Sequence, residues 1–182
     1  GDGGLYDATD HKPNYLLQSW ALPDETGSWN SNGLVLGVYT DIKKSCDILS
    51  NLKHNNFLPY VMAALHAKKE KWNDAVLLNT GGRLCDTTNA NIFLIKDEVI
   101  YTPALAEGCI AGVMRRNLVE KLTAGGYKLV EDKLSVDELL YADEVFLTNS
   151  IYNMRWVQSV GDKKYSNAQT QKIYAAFFST NS

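Results

Sequence analysis

Apolar residues recur along this chain in two different periods, and each change of period marks a boundary between elements. YLLQSWAL (15–22) and LVLGVYTD (34–41) read as strands, and the polar run PDETGSWNSNG between them reads as a long turn. A polar connector, KKSCDILSN, follows. From about Asn55 or Asn56 the spacing becomes helical, with Phe57, Leu58, Val61, Met62 and Leu65 in phase and Pro59 in the first turn, where its missing N–H costs little. Then come short strands at 75–79, 83–86, 91–95 and 99–102, separated by the turn signals NTGG, TTNA and KDE. GVMRRNLVEKLTAGG is a helix stopped at Gly125, and YKLVEDKL (127–134) is a strand. SVDELLYA opens with the capping-box pattern S-x-x-E. Strands at 144–150 and 154–160 and a terminal helix, NAQTQKIYAAFF, complete a mixed α/β layout.

Composition narrows the class. The chain has 182 residues, 45% apolar and 21% charged, which suits one large domain or one domain with extra segments. A net charge of −3 with scattered lysines and arginines gives no nucleic-acid surface. Cys46, Cys85 and Cys109 are odd in number and widely spaced, and His11, His54 and His66 form no HExxH pattern, so neither disulfides nor a metal site is expected. Reduced thiols point to the cytoplasm, and no apolar run is long enough to span a bilayer. There is no G-x-G-x-x-G and no P-loop.

Three stretches could carry chemistry. Lys53 in LKHNNFLPY precedes a helix N-terminus, which carries about half a positive elementary charge. A lysine there tends to release its proton and offer a neutral amine, although solvated lysines also occupy such boundaries. GCIAGVMRR (108–116) leads into a helix whose free N–H groups at Gly112, Val113 and Met114 suit a phosphate, with Arg115 and Arg116 adding charge or facing solvent. Asp86 in LCDTTNAN and the run TNS ending at Ser150 either serve a ring nitrogen and a phosphate or simply cap turns. Together, an amine, a phosphate cradle and an acid are what pyridoxal 5′-phosphate requires; spacing alone does not choose among the acids.

The runs K-H-N-N-F-L (53–58), D-T-T-N-A-N-I-F (86–93), I-Y-T-P (100–103), G-V-M-R (112–115) and A-D-E-V-F-L-T-N (142–149) resemble the class IV aminotransferase family, in family order and across nearly the whole chain. The resemblance implies the large C-terminal domain of the D-amino acid aminotransferase-like fold, a strand-rich pseudo-barrel with flanking helices. It places the end of a smaller N-terminal domain and a linker at 1–14 and the cofactor-binding domain at 15–182. It implies pyridoxal 5′-phosphate as cofactor, with Lys53 as the Schiff-base lysine, Asn56 as its companion and Asp86 opposite the pyridine nitrogen. Ile110 would pack on the ring, Gly112, Val113 and Met114 would start the phosphate-binding helix, and the Ser150 hydroxyl would touch the phosphate.

Three positions depart from the family pattern. Asp86 is a methylene shorter than the usual glutamate, Met114 replaces a hydroxyl, and Phe57 lacks one. The details G-V-M-R-R and T-N-S-I-Y-N-M-R-W-V favour the aminodeoxychorismate lyase members, which release pyruvate to give 4-aminobenzoate for folate synthesis. A branched-chain or D-amino acid transaminase is the alternative, and a catalytically silent relative or an inactive fragment a further one. The resemblance also implies a homodimer acting on a small amino-bearing substrate.

Overall fold

The computed structural model describes residues 12–23 and 25–179. Its centre is a strongly curled sheet of nine strands: β1 (Leu34–Lys44), β2 (Asp74–Asn79), β3 (Leu84–Thr87), β4 (Asn91–Lys96), β5 (Val99–Pro103), β6 (Leu129–Asp132), β7 (Glu144–Asn149), β8 (Asn153–Val160) and β9 (Lys163–Lys164). The spatial order is β3-β2-β1-β8-β7-β4-β5-β6, with β9 pairing on β8. Curling brings the two ends together: the Leu84 N–H at the start of β3 donates to the Leu134 carbonyl just beyond β6, at 2.8 Å. The mixed α/β pseudo-barrel expected from the sequence is therefore present.

Strand periodicity explains why both faces of the sheet are covered. Along β4, Ile92 and Leu94 join a core with Leu36, Val76, Leu84, Leu147 and Val157. The alternate residues Phe93 and Ile95 point the other way, to Phe146, Leu118, Leu122 and Ile173. A strand buried on both faces needs a continuous apolar run, and NIFLI and EVFL are such runs.

Among the described residues four α-helices flank the sheet: α1 (Leu58–Lys69), α2 (Val113–Ala124), α3 (Val136–Tyr141) and α4 (Ala168–Phe177). α1 connects β1 to the parallel strand β2. α3 carries the expected capping box, with Ser135 and Glu138 bonded reciprocally. α4 is capped at a distance, because buried Glu144 of β7 accepts from the backbone N–H of Gln169 and of Thr170, at 2.9 and 2.7 Å.

Two expectations are corrected. Residues 15–22 form no strand: they are irregular and exposed, with Tyr15, Leu16 and Leu17 all more than 80% accessible. Their β-like composition is not enough without a neighbouring strand edge to pair with. The first helix starts at Leu58 rather than at 55 or 56, with Phe57 as its cap residue and the His54 ring accepting from the Asn56 N–H in the preceding turn. Its apolar stripe also faces away from the sheet. α1 packs through Ala63 and Ala67 on Tyr39, Ala75 and Leu77, while Leu58, Val61 and Leu65 are at least half exposed. The stretch at 1–11, assigned to the end of a preceding domain, lies outside the described residues, and 12–14 are exposed.

Candidate functional site

One end of the barrel gathers the chemistry. The C-terminal end of β1, the middle of β3, the start of α1 and the loop before α2 converge on Asp86, which is 2% exposed. A carboxylate this deep requires partners, and it has four contacts. Lys44 Nζ lies 2.9 Å from Oδ2 and 3.2 Å from Oδ1. The Tyr60 hydroxyl donates to Oδ2 at 3.1 Å and the Ile110 N–H donates to the same atom at 3.0 Å. Lys44 also bonds the Tyr60 hydroxyl, which closes a triangle of side chains. Burial pushes the Asp86 carboxyl above the usual aspartate range, and Lys44, the Ile110 amide and Tyr60 pull against it. Burial and the charge of Asp86 push the Tyr60 phenol up, so it stays a donor.

Above this triangle lies a cleft of about 280 Å³ lined by Lys44, His54, Asn56, Phe57, Tyr60 and Ile110, among others. Of the residues singled out in the sequence, Asn56 and Ile110 line the cleft, and Asp86 is buried behind its wall, bonded to the lining residues Lys44, Tyr60 and Ile110. Lys53 stands at the rim between Leu52 and His54, exposed, with Nζ 5.3 Å from the centre of the Phe57 ring. It lies five residues before α1, whose end field is confined to about one turn, so proximity to that helix does not single it out. A second cavity of about 130 Å³, between Leu34, Asn73, Asn89, Thr148 and Arg155, contains no lysine.

The segment expected to cradle a phosphate offers backbone groups at the start of α2. Gly112 caps α2 without any side-chain bond, and the N–H groups of Val113, Met114 and Arg115 precede the first helical donor, the Arg116 N–H bonded to the Gly112 carbonyl, leaving them without intrahelical partners. Gly112 is required by close approach, since a Cβ there would lie 2.2 Å from Asn91 Oδ1. Asn91 in turn donates to the Ile110 carbonyl at 2.8 Å, which fixes the loop feeding the helix. Of the two arginines, Arg115 is buried and turned away, bonded to Glu131 and to the Pro103 carbonyl, while Arg116 is exposed. Ser150 is exposed in the turn after β7, two residues beyond Thr148, which pairs with Asn91.

Several residues that hold the site are not among those expected. Asn51 Nδ2 donates to the carbonyls of Leu105 and Cys109, at 2.8 and 2.7 Å, and the Ala111 N–H returns a bond to the Asn51 carbonyl. The segment leading to Lys53 is thereby tied to the segment leading to α2. Glu107, 2% exposed, accepts from Asn79 at 2.7 Å and pairs with Arg83. Gly108 follows it with φ +86°, the left-handed conformation that turns the chain toward Ile110. Lys44 belongs to a stretch read as a polar connector, yet it is the last residue of β1. Its signal was phase: Lys44 falls two residues after inward-leaning Ile42, with exposed Lys43 between. All three cysteines are free, Cys85 and Cys109 buried, and burial raises the Cys109 thiol to about 11. Among the described residues no helix is long and apolar enough to cross a membrane.

Comparison with known proteins adds an independent line. The profile of the family described as amino-transferase class IV matches residues 1–160. An aminodeoxychorismate lyase of Vibrio harveyi is 33% identical over 148 residues, which is 81% of this chain and 55% of that protein. A branched-chain-amino-acid aminotransferase of Pseudomonas aeruginosa is 32% identical over 110 residues, covering 58% of this chain and 36% of that one. The chain thus spans about half the length, or less, of these relatives. In structure, an aminotransferase of Brucella abortus bound to the cofactor PLP superimposes with a TM-score of 0.73 at 18% identity, over 81% of this chain and 54% of the other.

Proposed function

Because the chain belongs to the class IV aminotransferase family, we propose that the full-length protein holds pyridoxal 5′-phosphate in the cleft above Asp86 and works as a 4-amino-4-deoxychorismate lyase. The observation that supports the cofactor assignment is the cleft lined by Asn56, Phe57, Tyr60 and Ile110, two of whose lining groups, the Tyr60 hydroxyl and the Ile110 N–H, also hold the buried Asp86. The residues fit the group. The open N–H groups of Val113 and Met114 suit its phosphate, with the Ser150 hydroxyl in reserve, and the close approach at Gly112 keeps the cradle narrow. Ile110 and Asn56 would wall the ring, and Asp86 would face its nitrogen. Met114 contributes only its amide, and Phe57 contributes only its ring.

When bound, the cofactor supplies an electron sink for the charge left after loss of the substrate's α-proton. Lys53 supplies the amine that anchors the cofactor and then takes that proton. Its place at the rim suits both duties, because a long flexible side chain can swing into the cleft. Asp86 would pair with the ring nitrogen, and the Tyr60 hydroxyl holds its carboxyl group in place. The lyase assignment draws on the Vibrio harveyi relative, which matches over four-fifths of this chain. The second reading, a transaminase acting on branched-chain or D-amino acids, draws on the Pseudomonas aeruginosa relative. Both begin with the same proton abstraction at Lys53.

The domain division, with residues 15–182 as the cofactor domain, and a homodimeric full-length protein in the cytoplasm belong to the same proposal. Support for further protein on this surface comes from the outward apolar stripe of α1 and from the exposed residues 15–22. The test is borohydride reduction of the full-length protein loaded with pyridoxal 5′-phosphate, followed by peptide mass mapping. A phosphopyridoxyl group on Lys53 is expected; a label on another lysine, or none, refutes the assignment. Release of pyruvate from aminodeoxychorismate, compared with amino transfer to branched-chain keto acids, separates the two activities.

A further inference from the structure

Asp86, buried behind the cleft wall, is already paired. We propose that Lys44 is a positioning residue for the reaction: it holds Asp86 as a carboxylate with Oδ1 presented to the cleft and drives the shared proton onto the cofactor's ring nitrogen. This rests on the cofactor reading above and adds to it a second lysine with a different task.

Geometry carries the argument. Oδ2 accepts from the Tyr60 hydroxyl, the Ile110 N–H and the nearer contact of Lys44, whereas Oδ1 has only the longer Lys44 contact at 3.2 Å. A carboxylate has about four acceptor positions, so the remaining capacity lies on Oδ1. A ring N–H meeting Oδ1 places Asp86 between two cations. Moving the shared proton from the ring to Asp86 would bring positive charge closer to Lys44, which Coulomb repulsion opposes, so Lys44 biases the proton toward the ring.

Burial acts in the opposite sense. At 2% exposure an unassisted aspartate favours its neutral form, and a neutral acid would leave the ring nitrogen unprotonated and the electron sink weak. The groups facing Asp86 are Lys44 from β1, Tyr60 from α1, Cys85 beside it on β3, and Cys109 and the Ile110 amide from the loop before α2. Lys44 is the one cation among them. A purely structural role is a poor account of the pair, because replacing a buried ion pair by apolar residues is often neutral or stabilising. A mechanical brace would also tolerate loss of charge provided that the volume was kept.

The test compares the full-length protein with Lys44→Met, Lys44→Gln and Lys44→Arg. In the cofactor-free proteins, carbon NMR of labelled aspartate reads the titration of Asp86. In the loaded proteins, nitrogen NMR of ¹⁵N-labelled pyridoxal 5′-phosphate reads protonation of the ring. Lys44→Met and Lys44→Gln are expected to raise the proton affinity of Asp86 by about 10- to 1000-fold, the range for losing an opposite charge at this distance. The ring nitrogen should move toward its unprotonated shift in both, and Lys44→Arg should restore both readings. The glutamine variant serves if the methionine variant does not fold. Unchanged Asp86 titration in a folded neutral variant overturns the proposal, as does a ring nitrogen that stays protonated. A wild-type protein that takes up no pyridoxal 5′-phosphate instead sinks the cofactor reading, and this proposal with it.

Discussion

The tight approach at Gly112 offers a quantitative test of the phosphate cradle. Gly112 has φ −63° and ψ 137°, which alanine adopts without strain, so the backbone itself does not oppose Gly112→Ala. The obstacle is one atom, Asn91 Oδ1, 2.2 Å from the added Cβ. Relief requires the Asn91 side chain to swing away, which breaks its 2.8 Å bond to the Ile110 carbonyl at a position only 6% exposed. Leaving such a group unsatisfied costs about 1–3 kcal/mol. Replacing glycine lowers the entropy of the unfolded chain and returns about 0.4–1 kcal/mol. The expected net loss in urea unfolding is therefore about 1–2 kcal/mol. Affinity for pyridoxal 5′-phosphate, followed by fluorescence quenching, should fall as well because the loop from Ile110 to α2 shifts. An Asn91→Ala background decides the cause: with the obstructing oxygen gone, Gly112→Ala should become neutral or slightly stabilising. An equal loss in both backgrounds would refute the steric argument and shift attention to the backbone.

Two further outcomes follow from the buried groups. Asp86→Asn leaves the Lys44 ammonium buried with only Tyr60 beside it, and should cost about 3–5 kcal/mol in urea unfolding, with Lys44→Met on top recovering part of the loss; a double variant no more stable than Asp86→Asn would show that the pair is not coupled. For Glu107, burial raises the carboxyl, but the bonds from Arg83 and Asn79 and the charge of Arg83 outweigh it and hold the group below the usual glutamate range. A depressed folded-state value adds stability above the unfolded value of 4.5 that disappears as pH falls through the folded value. The stability difference between wild type and Glu107→Gln should therefore narrow below that pH in acid titrations followed by circular dichroism; a constant difference would mean that Glu107 is not the titrating group.

Most elements were legible in the sequence because they rest on local signals. The continuous apolar runs in NIFLI and EVFL, the capping box at Ser135 and the glycine after α2 each act within a few residues, and each element appears close to its expected place. The failures share a different cause. Residues 15–22 have strand composition but no partner edge, and pairing is a property of the whole sheet. The apolar phase of α1 was correct, but which face turns inward is decided by Ala63 and Ala67 against Tyr39 and Leu77, contacts made across the fold. The site divides in the same way. Asp86 and Gly112 stand out by type and position, and Asn56 and Ile110 through the family resemblance, whereas Lys44, Asn51, Tyr60 and Glu107 act through contacts reaching 16 to 58 residues along the chain.

These long-range contacts explain how one fold can make two ends of a site so unlike each other. At the acid end Asp86 is held by three partners, Glu107 by Asn79 and Arg83, and the loop before α2 by Asn51 and Asn91. At the amine end Lys53, His54, Asn55 and Asn56 are all exposed, on a segment with one internal bond at His54. A group that must set the charge of a ring gains from rigidity, since sub-ångström displacement changes the electrostatics around it. A lysine that must both anchor a cofactor and carry a proton gains from freedom to swing. The burial contrast between Asp86 and Lys53 is thus what the proposed division of labour requires, and the fold produces it by buttressing one loop and leaving the other open.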